Sequence, residues 1–580
     1  YVLRSVDKEA GRIWNATMRN TFAEDLAQDQ FSIINPYGAL MMPPLAESVE
    51  VYHTKPELYM VPNDPRLGRF AEMMHGQLAL FEERPDDDMS DAPHLSGSDE
   101  VLSTRDMILE VNGDIDHRVD QQMMLRNRLL DMLVSDWDRH DDQWRWAAVE
   151  PMDKKGKIYQ PIPRDRDMAF MVMNGLVPSV GKVSFFKNYQ DFRSSYGNLK
   201  GLTENSLSLT RRFTNQLTKQ EWVTTADSMK VWLSDSVITA AIRELPKLVL
   251  TDQGATIANI LRKRRDKLPQ VADRYYDMLA KVVDIHGSDK RELFVIESLP
   301  DNKVRVQVYK LKKYGEKARS YYDRTFQPEE TKELRLYGMG GSDRFEIRGA
   351  LSDEISIRLI GGPGGDTFIG NSVSTSKIPV YDNAAGSTFQ NISSFRLNTS
   401  EQPDAHAHAG FKYNSVDPLL YFGSNRDDGV FLGGGVQITR HGFRKQPAAA
   451  IHRIRANFAA ETEAFNSRYD GFFADVSGSW DGVVNIDALL PNNIRNFYGL
   501  GNETSDQNRE DDFYQARLWQ FWVKPALQHA IASGISVSAG PLFQVTPVKD
   551  DPGRFICQPQ QGISPNTFED QWFAGVHGSI

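Results

Sequence analysis

The sequence DWDRHDDQWRW, from Asp136 to Trp146, is followed closely by IPRDRDMAF, from Ile162 to Phe170. Both segments are rich in aspartate and are flanked by aromatic or apolar residues. Asp138 follows a helical apolar pattern, and Asp165 follows a strand-like run that ends in proline. One aspartate after a helix and one after a strand is an arrangement that phosphoryl transfer needs, because one carboxylate orients the acceptor hydroxyl and the other holds Mg²⁺.

A polar loop without catalysis is the alternative for the same residues. In that interpretation Asp138 and the arginines around it, Arg139, Arg164 and Arg166, simply form ion pairs. The protein-kinase pattern has a metal-binding Asn five residues after the catalytic Asp, and Gln143 stands at that place here. Gln can supply the oxygen, although its side chain is one methylene longer.

The two segments resemble those of atypical kinases of the CotH, HipA and secretory-pathway casein-kinase type. These families carry an N-D-R-H-like catalytic segment, then a strand and an Asp-containing metal motif ending in Phe-Gly. DWDRHDDQW is similar to the first and IPRDRDMAF to the second. The resemblance implies Asp138 as the catalytic acid, with Asp165, Asp167 and Gln143 as ligands of Mg²⁺ or Mn²⁺ bound with ATP.

The resemblance extends upstream. YVLRSVDKEA, at the start of the chain, looks like the strand that carries the nucleotide-binding lysine, and TFAEDLAQDQFS looks like the helix whose acid pairs with it. Arg4 stands where lysine is expected, and Lys8 lies a turn later. Glu24 or Asp25 is the expected helix partner. The resemblance therefore implies nucleotide contacts from Arg4, Lys8 and Glu24.

Composition divides the chain into regions. We predict a kinase-like bilobal α+β domain, with an N-lobe over residues 1–88 and a helical C-lobe over 89–288. A β-rich layered domain over 289–400 and a partial antiparallel transmembrane β-barrel over 401–580 follow. In the first region ELYMVP and QLALFEE read as strands. The apolar periodicity predicts helices at Val119–Trp137, Thr225–Leu245, Ile257–Lys267 and Val271–Val283.

Two glycine-rich segments suggest a second metal site. GGPGGDTFI, with Asp366, fits a calcium-binding nonapeptide, and GMGGSDRFE, with Asp343, fits it in part. Tandem copies that share calcium are spaced by nine residues, whereas these aspartates are 23 apart. This spacing favours glycine-rich turns in which aspartate caps each turn, and calcium remains the alternative.

The last region contains seven candidate strands. In AIHRIRANFAA the apolar Ile454, Ala456 and Phe458 alternate with the polar Arg453, Arg455 and Asn457. The polar side needs water, which a soluble sandwich supplies outside and a porin-like barrel supplies inside. The glycine content and the aromatic residues near strand ends favour the barrel.

NFYGLGNETSDQ, from Asn496 to Gln507, together with DDGVFLGGGV, resembles the BamA-type outer-membrane barrel, or bacterial surface antigen family. The resemblance implies the outer membrane of a Gram-negative bacterium, contact with its lipid, and outer-membrane or periplasmic protein partners. Seven strands are fewer than a whole family barrel contains, so we expect a truncated barrel within a larger protein.

The predicted function follows from these parts. The net charge of −11 argues against nucleic-acid binding, which needs a basic surface. We predict an outer-membrane anchored protein whose kinase-like domain performs ATP- and metal-dependent phosphotransfer. One alternative is an inactive pseudokinase or binding scaffold in outer-membrane protein assembly or transport. Another is a part of a larger outer-membrane metallophosphoesterase.

Overall fold

The structure is a computed structural model of the chain. It describes residues 1–6, 35–172, 188–370, 377–383, 386–399, 411–425, 429–501, 504 and 508–580. The chain divides into two compact units, one up to Phe411 and one from Lys412 to Ile580. The protein is therefore multidomain, with α/β regions in the first unit and a large antiparallel sheet in the second.

A small antiparallel sheet opens the first unit. Its strands are β1 (Val2–Ser5), β2 (Glu57–Met60) and β3 (Leu78–Glu82), with β3 in the middle. The predictions of strands in these three runs are confirmed. Two helices are inserted, α1 (Met42–Ser48) and α2 (Ala71–Met74). Prolines in the first turn of α1 suit a position where the amide has no helical acceptor.

A four-stranded sheet and two helices follow. The strands are β4 (Val101–Ser103), β5 (Arg118–Val119), β6 (Trp144–Val149) and β7 (Ile158–Pro163), in the order β4–β6–β7–β5. The helices are α3 (Thr104–Gly113) and α4 (Gln121–Val134). The Asp120 carboxylate caps α4 by accepting the Met123 amide, and Ser135 ends it in the left-handed conformation. The helix predicted over 119–137 is thus confirmed with narrower bounds.

Five more helices lie in the described residues of the α-rich part: α5 (Leu199–Thr203), α6 (Leu207–Phe213), α7 (Lys219–Trp232), α8 (Asp235–Arg243) and α9 (Lys247–Ala280). The single helix predicted over 225–245 is wrong, because Ser234 caps a new helix there. The two helices predicted around Pro269 are also wrong, because α9 runs through it. A proline inside a helix costs about 3 kcal/mol, and the neighbouring Leu268 and Val271 are buried in the core. No helix in the described ranges has the length and apolarity to cross a membrane.

Two parallel sheets form a coiled β-domain next in the chain. One contains β8 (Val282–His286), β12 (Glu333–Tyr337), β14 (Ser356–Ile360), β16 (Ile378–Asp382) and β18 (Phe395–Thr399). The other contains β9 (Glu292–Ser298), β13 (Arg344–Arg348), β15 (Thr367–Ile369) and β17 (Thr388–Gln390). A hairpin, β10 (Val304–Leu311) and β11 (Lys317–Phe326), extends the second sheet beside β9.

Equivalent residues of successive coils stack in the core of this β-domain. The rings of Phe294, Phe345, Phe368 and Phe389 are parallel, with centroids 4.7, 5.0 and 5.1 Å apart. One coil is a full turn of the chain, which contributes one strand to each sheet. Equivalent strands of successive coils pair in parallel, so equivalent side chains lie one above the other. This part of the chain is β-rich, and its first strand, β8, precedes residue 289, where the sequence predicts the β-rich domain to begin.

In the described part of the second unit, eight strands pair in sequence order as one antiparallel sheet. They are β19 (Ser415–Asn425), β20 (Gly429–Arg440), β21 (Ala450–Ala459), β22 (Phe465–Ser477), β23 (Trp480–Asn496), β24 (Gln515–Ala532), β25 (Ile535–Val545) and β26 (Trp572–Ser579). A short helix, α10 (Asp511–Tyr514), precedes β24. The sheet is open between β19 and β26.

Two strand predictions in this unit need correction. HAIASGISVSAG is one of the seven segments predicted as single strands, but the chain turns within it and Gly534 has a φ of 78°. Glycine adopts this left-handed conformation without a steric penalty, so it marks a hairpin. β19 was not predicted, because its apolar run contains Pro418. Pro418 lies on the edge strand, where a missing amide is tolerated.

Candidate functional site

The β6–β7 hairpin brings the two aspartate-rich segments together. In its register Trp144 pairs with Pro163, so the residues just before β6 lie beside those just after β7. The Arg164 amide donates to the Gln143 carbonyl at 3.0 Å, which continues the pairing by one residue. The sequence prediction that these two loops form one site is consistent with this geometry.

Arg139 fastens the two loops to each other. Its guanidinium forms an ion pair with Asp136 at 2.6 Å and donates to the Arg164 carbonyl at 2.6 Å. It also donates to the Asp165 carbonyl. Asp165 has a φ of 54°, a left-handed conformation that is uncommon for a residue with a side chain. Arg139 therefore holds the backbone that directs the Asp165 carboxylate.

A buried ion network supports this arrangement. Arg166 pairs with Asp131 at 2.5 Å, and Arg128 pairs with the same aspartate at 2.5 Å. Burial raises the pKa of Asp136 to about 6, and the Arg139 charge acts against this rise. The loop alternative expected Asp138 as the partner of these arginines. Instead, Arg139 pairs with Asp136 and Arg166 pairs with Asp131.

Asp138 has a different environment from the buried acids. It is half-buried, and its Oδ1 accepts a hydrogen bond from Asn205 Nδ2 at 3.1 Å. The neighbouring Trp137 ring stacks on Tyr189 with centroids 4.3 Å apart. Burial raises the pKa of Tyr189, and the Asp138 charge adds to the effect. A carboxylate at the edge of the site, positioned by one amide, can accept a proton from a bound hydroxyl.

Asp165 meets a cation from the N-terminal sheet. Arg4 Nη1 lies 2.8 Å from Asp165 Oδ1 and 2.5 Å from Glu82 Oε1. Glu82 ends β3 and is 3% exposed. Burial raises the pKa of Glu82, while Arg4 acts to lower it. Arg4 thus contacts the predicted metal ligand directly, and its acidic partner in the described residues is Glu82.

The remaining predicted residues are less closely grouped. The Gln143 side chain contacts His140, with 3.4 Å between Gln143 Nε2 and His140 Nε2. Asp167 is half-buried two residues after Asp165. Lys8 and Glu24 lie outside the described residues. The structure therefore places Arg4, Asp138, Gln143 and Asp165 in the site loops or against them.

Three of the predicted site residues already have protein partners. Asp165 is paired with Arg4, Asp138 with Asn205 and the Gln143 side chain with His140. Within the described ranges, no group of three or more His, Cys, Asp or Glu is arranged to hold a metal ion. Mg²⁺ takes near-octahedral oxygen ligands at 2.0–2.1 Å, so a metal bound through Asp165 Oδ1 would displace Arg4 from that oxygen.

The two Gly-Asp turns have a clear structural role in the β-domain. Asp343 Oδ1 accepts the Glu292 amide at 2.8 Å, and Asp366 Oδ1 accepts the Asp343 amide at 2.8 Å. Each aspartate therefore joins its own coil to the preceding one. A Cβ on Gly338 or Gly361 would lie 2.4 Å from the Oδ2 of the aspartate in its own turn. These contacts favour the turn-capping alternative, and calcium binding stays a prediction.

Sequence reasoning missed several residues of the site. The sequence could have indicated the Arg128–Asp131 pair, because charged residues three positions apart in a buried helix usually form an ion pair. No sequence pattern indicated Glu82 or Asn205, because their partners Arg4 and Asp138 lie 78 and 67 positions away in the chain. Arg264 lies in the basic run LRKRRDK, from Leu261 to Lys267, a pattern that is typical of a solvated helix face. Instead it is buried and donates to the Met132 and Leu133 carbonyls at the end of α4.

No family model, curated protein or solved structure matches this chain. The kinase-like and BamA-type resemblances therefore stay predictions that rest on the residues quoted for them.

Proposed function

We propose that this chain is an outer-membrane protein of a Gram-negative bacterium in which residues 412–580 form the membrane-embedded part of a BamA-type β-barrel. In this proposal the sheet is the anchor of the protein, and its lipid contacts are made by one face. The observation that supports the proposal is an apolar face to which all eight strands of the second unit contribute.

The apolar face can be followed by strand register. Directly paired residues lie on the same face of an antiparallel sheet, and Phe422 pairs with Leu432, which pairs with Phe458. Phe422 is 86% exposed and Leu432 is 71% exposed. The same face continues to the last strand with these apolar residues: Phe465, Tyr469, Phe473, Val484, Ile486, Phe521, Val523, Phe543, Val545, Trp572 and Val576.

An apolar face of this extent suits lipid. Soluble monomers rarely expose a contiguous apolar patch of more than a few hundred Å². Hydrocarbon accepts such a face without cost, and sheet strands that alternate apolar and polar residues are the pattern of membrane barrels. The alternation of Ile454, Ala456 and Phe458 with polar neighbours therefore extends over the whole sheet.

The opposite face is polar and cross-linked between strands. Arg468 lies 3.0 Å from Asp470 and 3.6 Å from Asp487, on the neighbouring strand. Asn485 donates to Asp470 at 2.8 Å, and Trp522 Nε1 donates to Asp487 at 2.5 Å. A face that carries charges of both signs is stable only where water can solvate it, and the lumen of a barrel supplies that water.

Two adjacent leucines allow a matched test. Leu420 lies on the apolar face, and Leu419 projects from the opposite face of the same strand. We expect Leu420→Arg to destabilise the chain in phospholipid vesicles by ~2–4 kcal/mol, the cost of arginine at the bilayer midplane. Leu419→Arg should cost less. The measurement is denaturant unfolding in vesicles, combined with fractionation of expressing cells.

Equal effects of the two variants would contradict the proposal. A chain that stays monodisperse in buffer without detergent, and does not partition into the outer-membrane fraction, would also contradict it.

A second candidate function belongs to the first unit, a kinase-like binding module. The Arg4–Asp165 ion pair favours a module without metal-dependent transfer, because the predicted metal ligand already has a cationic partner. Phosphotransfer with ATP and Mg²⁺ or Mn²⁺ at Asp138 is the alternative. Outer-membrane or periplasmic proteins are the proposed partners, and membership of a larger metallophosphoesterase remains a further alternative.

Calorimetric titration with ATP separates these functions. The full chain in detergent is titrated with and without Mg²⁺, and Asp165→Ala serves as the control. ATP binding that needs Mg²⁺ and is lost in Asp165→Ala would support phosphotransfer. Binding that is independent of Mg²⁺ would support the binding module, and no binding at millimolar ATP would restrict the unit to protein partners.

A further inference from the structure

We propose that Arg84, Arg145 and Arg164 form a site in the first unit that binds the phosphate group of a small soluble molecule directly, without a metal ion. The inference rests on the binding module proposed for the first unit and names the chemical class of its ligand. It is independent of membrane anchoring.

Arg164 has a fixed backbone and a side chain with unused hydrogen-bond donors. Its amide donates to the Gln143 carbonyl at 3.0 Å, and its carbonyl accepts from Arg139 Nη1 at 2.6 Å. The Nε and Nη1 atoms of its own guanidinium are shielded from solvent and have no hydrogen-bond acceptor among the described residues. No carboxylate in the described ranges forms an ion pair with it. A shielded cation without an acceptor is costly, so a bound anion would stabilise this position.

Arg145 lies on the same face of the β6–β7 hairpin as Arg164. In the hairpin register Arg145 pairs with Ile162, and Arg164 follows Ile162 by two positions. Side chains two residues apart on a strand point to the same side, so the two arginines are diagonal neighbours. The Arg145 side chain is 11% exposed, and Asp86 Oδ1 lies 3.8 Å from its Nε. Asp86 is largely exposed, so it compensates the Arg145 charge weakly.

Arg84 reaches this pair from the segment that follows β3. The contact between Asp86 and Arg145 shows that this segment passes beside the hairpin. Arg84 is exposed, and no carboxylate of the described residues forms an ion pair with it. Burial lowers the pKa of Arg164. The positive charges of Arg145, Arg84 and Arg4 lower that pKa further, because nearby like charges disfavour one another.

The charges of this site favour a phosphate group as the ligand. A guanidinium presents its donors in a planar fork that matches phosphate oxygens and needs no metal ion to bind them. A terminal phosphate offers three acceptor oxygens, one for each arginine, whereas a carboxylate offers two. Arg4 is not available for this role, since it already pairs with Glu82 and Asp165.

Burial favours a small soluble ligand over a membrane surface. Arg164 is half-buried, and the Arg145 side chain is mostly shielded from solvent. A phosphate must therefore enter the fold to reach both guanidinium groups. A free phosphorylated molecule can do so, whereas the headgroups of a bilayer meet cations that project from a protein surface.

The test is calorimetric titration of the full chain in non-ionic detergent with sodium pyrophosphate, in a buffer that contains EDTA. We expect the wild type to bind pyrophosphate without metal. Arg164→Met should weaken this binding about tenfold or more, because charged hydrogen bonds are lost, and Arg84→Met should also weaken it. Arg105→Met, at an exposed position of α3, is the matched control and should bind as the wild type does. Malonate, a dicarboxylate, should bind more weakly than pyrophosphate.

Three results would overturn the proposal. They are a wild type that does not bind millimolar pyrophosphate, an unchanged affinity in the folded arginine variants, and an equal affinity for malonate. If Arg164→Met does not fold, Arg84→Met decides the question, because Arg84 is exposed and its replacement leaves the core intact. Weaker binding by Arg84→Met then supports the site, and unchanged binding overturns it.

Failure of this inference is distinguishable from failure of the binding module. Metal-free ATP binding by a chain that does not bind pyrophosphate would retain the module and exclude the arginine site. Metal-free pyrophosphate binding by a chain whose ATP binding needs both Mg²⁺ and Asp165 would retain the arginine site and exclude a module that acts without metal.

Discussion

The Arg139 guanidinium and the Asp136 carboxylate form an ion pair at 2.6 Å, with both side chains fully buried. Arg139 also donates hydrogen bonds to the carbonyls of Arg164 and Asp165. The segment after α4 and the segment after β7 are joined by this one side chain. The position of the Asp165 carboxylate thus depends on a residue that contacts no solvent.

Removal of Arg139 should destabilise the first unit strongly. We expect Arg139→Met to lower the free energy of unfolding by ~3–5 kcal/mol, because it leaves Asp136 buried without its main cation. The measurement is chemical denaturation followed by tryptophan fluorescence. The control is Arg105→Met on the exposed face of α3, which should change the midpoint little. Similar midpoints for the two variants would contradict the role assigned to Arg139.

Arg264 should be far less replaceable than the adjacent Arg265. Arg264 donates to four carbonyls, those of Met132, Leu133, Arg193 and Ser195, at 2.6–2.9 Å. Charged hydrogen bonds contribute ~1.5–3 kcal/mol each to the free energy of unfolding. We therefore expect Arg264→Met to lower this free energy by the contribution of several such bonds.

Arg265 pairs with the exposed Asp235, and such surface pairs contribute ~0–1 kcal/mol. Thermal unfolding of the two methionine variants provides the comparison. A larger loss in Arg265→Met would show that Arg264 does not cap α4 in solution.

Gly364 should be essential to coil stacking in the β-domain. A Cβ at this position would lie 1.5 Å from the Gly341 carbonyl oxygen of the adjacent coil. Because this neighbour is backbone, Gly364→Ala must separate the coils. We expect loss of the folded β-domain, detected by circular dichroism and limited proteolysis. Gly113→Ala is the control, since its Cβ would meet nothing within 4 Å. Wild-type stability in Gly364→Ala would refute the stacked arrangement.

Asp366 should make stability depend on pH. Burial raises its pKa to about 7, the Asp343 amide opposes the rise, and Asp382 adds to it. The folded state therefore keeps a proton that the unfolded chain releases near pH 4, so stability is full in acid and falls as pH rises from about 4 to about 7. The slope is about 1.4 kcal/mol per pH unit.

Asp366→Asn should make this slope shallower, because an amide mimics the neutral acid, while Asp136 and Asp343, whose pKa values burial also raises, still titrate. Denaturation midpoints between pH 4 and pH 8 test the expectation. Asp353→Asn, at an exposed position, should retain the wild-type slope. An unchanged slope in Asp366→Asn would assign the effect to another group.

Local pattern was sufficient for much of the fold. The alternation of Ile454 and Phe458 with Arg453 and Arg455 predicted a two-sided strand, and the register confirms it. The 23-residue separation of Asp343 and Asp366 is the length of one coil, since β12 and β14 pair at Glu333 and Ser356. Periodicities of this kind are set by neighbours in sequence, so they can be read without the tertiary structure.

The sequence by itself determined that two aspartate-rich loops lie at the ends of a helix and a strand and that the C-terminal strands have one apolar and one polar side. Only the tertiary structure decided which charges meet. Arg4 joins Glu82 and Asp165 across 78 and 161 positions, and Arg139 selects Asp136 over Asp138. The physical reason is that an ion pair depends on distance and burial, which packing sets, whereas residue spacing sets only the face on which a side chain lies.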